Sequence, residues 1–200
     1  MTKKNFYVAI SGVHGVGKST ILKKLCEKNT EFIKINETTI PVVHSEQISN
    51  PVLRELWFYS NYVKREQFEI QNAGLKIADR WINDIKIYIS AMLSSNMINT
   101  AEYTSLNSVI NSRQWTEPDM EIVIIADEKE LLKRIENRSR DSKEVLKEKD
   151  LEFLKKVNSG FIEYAKMNQG LRPVILIDTS NMNEETAARI VEKEINKILV

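Results

Sequence analysis

The stretch "FYVAISGVHGVGKST", residues 6–20, joins an apolar run to a loop with three glycines and a lysine followed by two hydroxyl residues. The run "FYVAI" (6–10) has the Val/Ile-rich character of a buried strand. A helical pattern begins near Lys18. The sequence therefore predicts a strand, a glycine-rich turn and a helix in direct succession.

The turn matches the pattern G-x-x-x-x-G-K-[ST] between Gly12 and Ser19. Glycines let the backbone N–H groups face an anion, and the start of a helix adds its positive dipole end. We expect Lys18 to lie near the β- and γ-phosphates of a nucleoside triphosphate, Ser19 to hold Mg²⁺ and Thr20 to help cap the helix. The residues predicted to bind the donor, ATP, are Gly12, Gly15, Val16, Gly17, Lys18, Ser19 and Thr20.

Short apolar runs alternate with longer segments of helical periodicity along the whole chain, which is typical of a parallel sheet covered by helices. The sequence predicts an α/β three-layer P-loop fold with five parallel strands. No linker or repeat marks a boundary, so residues 1–200 form one predicted domain. The predicted strands are 6–11, 32–36, 74–79, 120–126 and 173–178. The predicted helices are 18–29, 50–72, 82–97, 101–114, 128–140, 148–168 and 184–199.

Composition excludes several function classes. Lys and Arg number 29 against 28 Asp and Glu, so the net charge of +1 gives no overall attraction to nucleic acid or an anionic membrane. No apolar run reaches the ~20 residues that cross a bilayer, the N-terminus lacks a signal-peptide core, and the single cysteine cannot form an internal disulfide. We therefore expect a cytoplasmic protein.

Switch GTPases carry an Asn-Lys-x-Asp segment and transport ATPases a Leu-Ser-Gly-Gly-Gln segment, and this sequence has neither. Their absence favours a kinase of small molecules. Such an enzyme needs acidic and basic groups at the carboxyl ends of its strands, where ligands gather. Glu37 after the second strand can serve as a general base for a sugar hydroxyl, or it is simply a solvated strand end.

Asp79 and Arg80 end the third predicted strand. Asp79 can orient Mg²⁺ and Arg80 can bind the acceptor, although a structural ion pair would look the same. Asp127 after the fourth strand is an alternative to Asp79 as the carboxylate ligand of the metal, but a simpler interpretation is that it caps the following helix. His14 is interpreted as a variable position of the loop.

An arginine-rich segment, "KRIENRSR" (133–140), follows the fourth strand. Arg134 and Arg138 lie four residues apart on one helical face, and Arg140 follows. Arginines that close over bound nucleotide can stabilise the charge of the transferring phosphoryl group, so we predict a mobile lid near 134–148. Solvated surface charge is the alternative interpretation.

An aromatic helix, "LRELWFYSNYVKREQF" (53–68), can provide a wall for the acceptor. Phe58 and Tyr62 share one face of it, with Trp57 beside them, and can stack on a nucleobase. Packing in the core explains most aromatic helices equally well.

These residues resemble the thymidylate kinase and deoxynucleoside kinase group of P-loop enzymes over nearly the whole chain. The resemblance implies a phosphate loop at 12–19, an acid–Arg pair at Asp79 and Arg80, and an arginine-rich lid at Arg134, Arg138 and Arg140. Pro118–Asp119 and the helix "DLEFLKKVNSGFIEYAK" (150–166) are similar to thymidylate kinases. Glu37, nineteen residues after Lys18, is similar to the base of deoxynucleoside kinases.

Three hypotheses follow. The first is a deoxynucleoside kinase that uses ATP and Mg²⁺, with catalytic residues Lys18, Glu37, Asp79, Arg80, Arg134, Arg138 and Arg140. In it, Glu37, Phe58, Tyr62 and Arg80 bind the acceptor, and Ser19 and Asp79 hold the metal. The second is a monophosphate kinase that converts dTMP to dTDP. The third is a nucleotide-binding ATPase module with no metabolite acceptor. Because relatives in this group dimerise through helices, the apolar segment 82–98 is a candidate homodimer surface, unless it is a core helix.

Overall fold

The computed structural model describes residues 5–37, 50–137 and 150–199. Its strands form one sheet in the order β2-β3-β1-β4-β5, and every neighbouring pair is parallel. The predicted five-stranded parallel sheet is confirmed. The strands are β1 (Phe6–Gly12), β2 (Phe32–Ile35), β3 (Leu75–Asp79), β4 (Met120–Ile125) and β5 (Val174–Asp178).

Helices occupy the connections between these strands, close to where periodicity predicts them. The predicted helix 50–72 is α-helical only as far as Arg65 and continues as a π-helical turn, Glu66–Ile70. The predicted helical residues 138–140 and 148–149 lie outside the described part of the chain. The helices are α1 (Lys18–Lys28), α2 (Pro51–Arg65), α3 (Ile82–Ser94), α4 (Thr100–Asn111), α5 (Glu128–Asn137), α6 (Leu151–Asn168) and α7 (Glu184–Leu199).

The sheet lies at the centre of the core. All seven residues of β1 are buried, so its apolar run is continuous rather than alternating, as expected when helices cover both faces. Helix α1 packs against α7, and α3 packs against α6. The three-layer α/β architecture is confirmed.

The position of β1 explains where a ligand site forms. Strand β1 pairs with β3 on one side and β4 on the other, so the chain order of the strands reverses there. In such sheets, ligands bind beyond the carboxyl ends of the strands at the reversal. Register places Ile10 opposite Asp79, and the Arg80 N–H donates to the Ile10 carbonyl at 2.9 Å. The glycine loop and the Asp79–Arg80 pair therefore emerge side by side.

The candidate dimer helix, α3, contributes mainly to the chain's own core. Ile85, Ile89 and Met92 are among its buried residues. Its apolar composition is thus explained by packing and does not by itself indicate a homodimer. Within the described residues, no helix is both long and apolar enough to span a membrane.

Candidate active site

The loop between β1 and α1 has a backbone that requires glycine. Gly12, Gly15 and Gly17 have φ angles of 143°, 85° and 93°. A Cβ at Gly12 would lie 2.3 Å from the carbonyl oxygen of Ile124, so a side chain there would collide with β4. Glycine at these positions holds the loop in the shape that directs N–H groups toward an anion.

Lys18 is buried and lies across its own loop. Its Nζ donates to the carbonyls of Gly12 at 3.0 Å and Val13 at 2.9 Å. Burial, together with the nearby Arg80, lowers the pKa of Lys18 to about 8. A phosphate group would supply the negative charge that this buried ammonium lacks in its immediate contacts.

The first turn of α1 leaves its N–H groups available to a ligand. Gly17 is the N-cap residue, and no side chain accepts a hydrogen bond at this end. The prediction that Thr20 helps cap the helix is wrong, because no side chain, that of Thr20 included, makes a capping hydrogen bond there. An uncapped N-terminus beside a glycine loop suits a phosphate group.

Ser19 and Asp79 come together as the sequence predicts for a metal site. The Ser19 hydroxyl donates to Asp79 Oδ2 at 2.6 Å, and Asp79 is buried at the end of β3. Asp79 Oδ1 is also buried and has no hydrogen-bond partner among the described residues. A hydroxyl and an unsatisfied carboxylate oxygen beside a phosphate loop fit Mg²⁺, which takes few protein ligands and completes its shell with phosphates and water.

No group of three or more His, Cys, Asp or Glu suited to a metal occurs in residues 5–37, 50–137 and 150–199. Asp127, the alternative to Asp79 as the metal ligand, accepts a hydrogen bond from the Glu130 N–H at 2.9 Å. It therefore caps α5, and this interpretation of Asp127 is confirmed.

Arg80 contacts several parts of the site at once. It has a φ of 65°, which is strained for a residue with a side chain. Its Nη1 donates to the Gly12 carbonyl at 2.8 Å and to Asp84 Oδ2 at 2.9 Å. The guanidinium lies over the Tyr88 ring, 5.2 Å from its centroid. Arg80 thus ties the phosphate loop to the start of α3.

Glu37 reaches the same point from β2. Its Oε1 lies 2.6 Å from Arg80 Nε, and the Glu37 side chain is 27% exposed. Arg80 Nε makes no aligned hydrogen bond among the described residues, so the contact is an ion pair. The pair leaves the carboxylate beside Arg80 and partly open to the cavity next to it.

That cavity contains the four residues predicted to bind the acceptor: Glu37, Phe58, Tyr62 and Arg80. Phe58 is half-buried and Tyr62 is buried, so the aromatic helix contributes both to the core and to the cavity wall. Trp57 does not line the cavity, and its ring packs edge-on against Phe58 with the ring centroids 5.2 Å apart.

Sequence reasoning missed several further residues of this cavity, among them Glu55, Asp84, Ile85 and Tyr88. Glu55 is 4% exposed, and burial raises its pKa to about 7. Burial also raises the pKa of Asp84, against the opposing effect of Arg80. Spacing was an available signal for Glu55, which lies three residues before Phe58 on one face of α2. It gave no such signal for Asp84, because Arg80 precedes α3 and does not share a helical face with it.

A buried network lies behind the site, around Glu121 of β4. One carboxylate oxygen accepts from the Ser11 hydroxyl at 2.8 Å and from the Trp81 indole at 2.7 Å. The other accepts from the Tyr164 hydroxyl at 2.6 Å and from Arg172 at 3.0 Å. Since Ser11 precedes the phosphate loop and Trp81 follows Arg80, Glu121 fixes both segments to the centre of the sheet.

Arg134, on α5, contacts the phosphate loop and the loop after β5. It donates to Glu130 Oε1 at 2.8 Å, to the Thr179 carbonyl at 2.7 Å and to the Val16 carbonyl at 3.3 Å. These contacts join the loop after β5 to the phosphate loop. Arg138 and Arg140 lie outside the described residues, as does most of the predicted lid.

Comparisons with known proteins agree with this geometry. The family model described as deoxynucleoside kinase matches residues 8–200. None of the curated protein sequences compared with the chain matches it.

Solved structures share the fold. Deoxyadenosine kinase from M. mycoides with bound dATP has a TM-score of 0.79 at 20% identity, over 96% of this chain and all of that one. The same enzyme with the products dCMP and a flexible dCDP bound has a TM-score of 0.76 at 19% identity, over 96% and 100%. Thymidylate kinase from Candida albicans has a TM-score of 0.76 at 18% identity, over 98% and 93%. The resemblance seen in the sequence is confirmed.

Proposed function

Because the chain belongs to the deoxynucleoside kinase family, we propose that it transfers the γ-phosphoryl group of ATP to the 5′-hydroxyl of a deoxynucleoside. The observation that carries this proposal is the position of Glu37, which lies against Arg80 at the edge of an aromatic cavity beside the phosphate loop. A nucleoside hydroxyl must lose a proton when it attacks phosphorus, and Glu37 is a carboxylate at the place where that hydroxyl would lie.

The donor half of the site consists of the phosphate loop and the first turn of α1. N–H groups of residues 12–20, including those of Val16 and Thr20, would bind the phosphates, and Lys18 would turn from the loop carbonyls toward the β- and γ-oxygens. Ser19 and Asp79 would hold Mg²⁺, which neutralises charge on the β- and γ-phosphates when bound.

The acceptor half consists of β2, α2 and the start of α3. Phe58 and Tyr62 would pack against the base, and Arg80 would orient both Glu37 and the acceptor oxygen. Glu37 would take the proton as the oxygen–phosphorus bond forms, and the bond to the bridging oxygen of ADP would break. Exclusion of water from the closed site would favour transfer over hydrolysis.

The arginine-rich segment would complete the site. Arg134 contacts Val16 and Thr179, so we assign it to holding the nucleotide loops together. Arg138 and Arg140, in the predicted lid, would contact the transferring phosphoryl group. We propose a cytoplasmic location for this reaction, because ATP is abundant there.

Phosphorylation of dTMP is the second candidate function, and the similarity of Pro118–Asp119 to thymidylate kinases favours it. Asp119 Oδ2 accepts a hydrogen bond from the Tyr7 N–H at 2.8 Å, which anchors the start of β4 to β1. A monophosphate acceptor carries its own nucleophilic oxygen and needs no base, so the position of Glu37 favours the nucleoside. An ATPase module without an acceptor would leave Glu37 and the cavity without a role.

An acceptor panel tests the proposal. ATP and Mg²⁺ are incubated with the protein and single deoxynucleosides or deoxynucleoside monophosphates, with Lys18→Ala as the blank. We expect a new monophosphate from at least one deoxynucleoside. If the only product is the diphosphate formed from dTMP, the protein has the second function, phosphorylation of dTMP. ATP hydrolysis with no phosphorylated acceptor would overturn both candidate functions.

A further inference from the structure

Arg65 is a buried arginine outside the acceptor cavity, at the point where α2 passes into the π-helical turn. It is 4% exposed, and its guanidinium lies 5.0 Å from the centroid of the Tyr62 ring. Among the described carboxylates, none forms an ion pair with it. A buried cation of this kind requires another reason for its position.

The partners of Arg65 are two successive backbone carbonyls. Nη1 donates to the Asp79 carbonyl at 3.1 Å, and Nη2 donates to the Arg80 carbonyl at 3.0 Å. The rigid, planar guanidinium fork can bind two adjacent oxygens at once, whereas the single ammonium of lysine cannot reproduce that geometry. Arg65 therefore binds the backbone of Asp79 and Arg80, whose side chains contact Ser19 and Glu37 respectively.

The backbone that Arg65 binds is strained. Arg80 has a φ of 65°, a conformation that persists in a non-glycine residue only where surrounding contacts impose it. With the backbone in this conformation, the Asp79 carboxylate contacts Ser19 and the Arg80 guanidinium contacts Glu37. A relaxed turn would change the direction of at least one of these side chains.

We propose that Arg65 is a positioning residue, which holds the Asp79–Arg80 turn in the conformation that places the metal-binding carboxylate and the acceptor-binding guanidinium. This inference rests on the proposed function of that site. Arg65 itself does not line the acceptor cavity, and acts through the two carbonyls.

Two variants of Arg65 test the proposal by removing different properties of its side chain. Arg65→Lys keeps the charge but loses the fork, and Arg65→Gln keeps a single donor group without charge. Arg113→Lys is the matched control, because Arg113 also stacks on an aromatic ring, that of Trp115 at 4.7 Å, outside the acceptor cavity. Ile195→Val, in the core of α7, controls for a general loss of stability.

Arg65→Lys is expected to lower kcat about 10–100-fold with little change in the KM for ATP, because the phosphate loop is intact while the turn is misplaced. The Mg²⁺ concentration for half-maximal binding of a fluorescent ATP analogue should also rise severalfold. Wild-type kcat and Mg²⁺ dependence in folded Arg65→Lys would overturn the proposal. An equal loss in Ile195→Val or Arg113→Lys would also overturn it.

The two proposals fail separately. If the wild-type protein phosphorylates no acceptor, the proposed function fails, while the Mg²⁺ dependence of analogue binding still reports on Arg65. If Arg65→Lys does not fold, Arg65→Gln takes its place. If neither variant folds, Arg65 serves stability and the positioning role is overturned.

Discussion

Glu37 Oε1 and Arg80 Nε lie 2.6 Å apart, although they come from two different strand ends of the sheet. Strands β2 and β3 are neighbours, so their carboxyl ends bring the two residues to the same edge. Arg80 is in turn fixed by the Gly12 carbonyl and Asp84. The candidate base is thus oriented by a guanidinium that is itself anchored to the phosphate loop.

Glu37→Gln should abolish most transfer to a deoxynucleoside. General base catalysis contributes about 10²–10⁴-fold, and we expect kcat to fall within that range while ATP binding is retained. Steady-state kinetics with the best deoxynucleoside measure this loss. Near-wild-type kcat in Glu37→Gln would remove the base role, and Glu31→Gln, an exposed site before β2, is the control.

Asp79→Asn should weaken the metal site. Loss of the carboxylate charge beside Ser19 is expected to raise the Mg²⁺ requirement and lower kcat by about 10²-fold or more. A Mg²⁺ titration of activity measures both effects. Asp127→Asn, just after β4, should leave both quantities unchanged because asparagine also caps a helix. The opposite pattern in the two variants would make Asp127 the carboxylate ligand of the metal.

Phe58→Ala should weaken binding of the acceptor. Stacking of a base on an aromatic ring is worth ~1–3 kcal/mol, so the acceptor KM should rise about tenfold while the KM for ATP stays the same. Kinetics with one substrate varied at a time separate the two values. Tyr59→Ala is the control, because Tyr59 lies on the same helix, packs against Trp115 and does not line the cavity. An unchanged acceptor KM in Phe58→Ala would assign Phe58 to core packing alone.

Glu55→Gln should change how stability depends on pH. Burial raises the pKa of Glu55 from 4.5 to about 7, so its stabilising contribution is fully present below pH 4.5 and is lost as pH rises through 7. Between these limits the wild-type protein should lose on the order of 1–3 kcal/mol that the uncharged glutamine variant retains. Urea unfolding at several pH values measures the difference, which should vanish if Glu55 is solvated.

The sequence predicts the parts of the site that depend on local chain geometry. The β1–loop–α1 motif is recognisable because its glycines, Lys18 and Ser19 must follow one another directly. Asp79 and Arg80 are predictable because an apolar run ends just before a polar pair, and parallel strands end at a common edge. Their meeting with Ser19 and Glu37 follows from strand order.

The residues that sequence reasoning missed depend on tertiary packing. A glutamate in a charged helix is usually solvated, and Glu55 is buried only because α2 lies over the acceptor cavity. The π-helical turn after Arg65 has no sequence pattern, and the two carbonyls that Arg65 binds come from a different element. Distance along the chain gives no indication of such contacts.

A competition assay tests the central claim most directly. The protein is given ATP labelled in the γ-phosphate, Mg²⁺, and an equimolar mixture of the four common deoxynucleosides and their four monophosphates, with Lys18→Ala as the blank. The proposed function predicts that the label appears first in a deoxynucleoside monophosphate. Label that enters only deoxynucleoside diphosphates, or only inorganic phosphate, would contradict it.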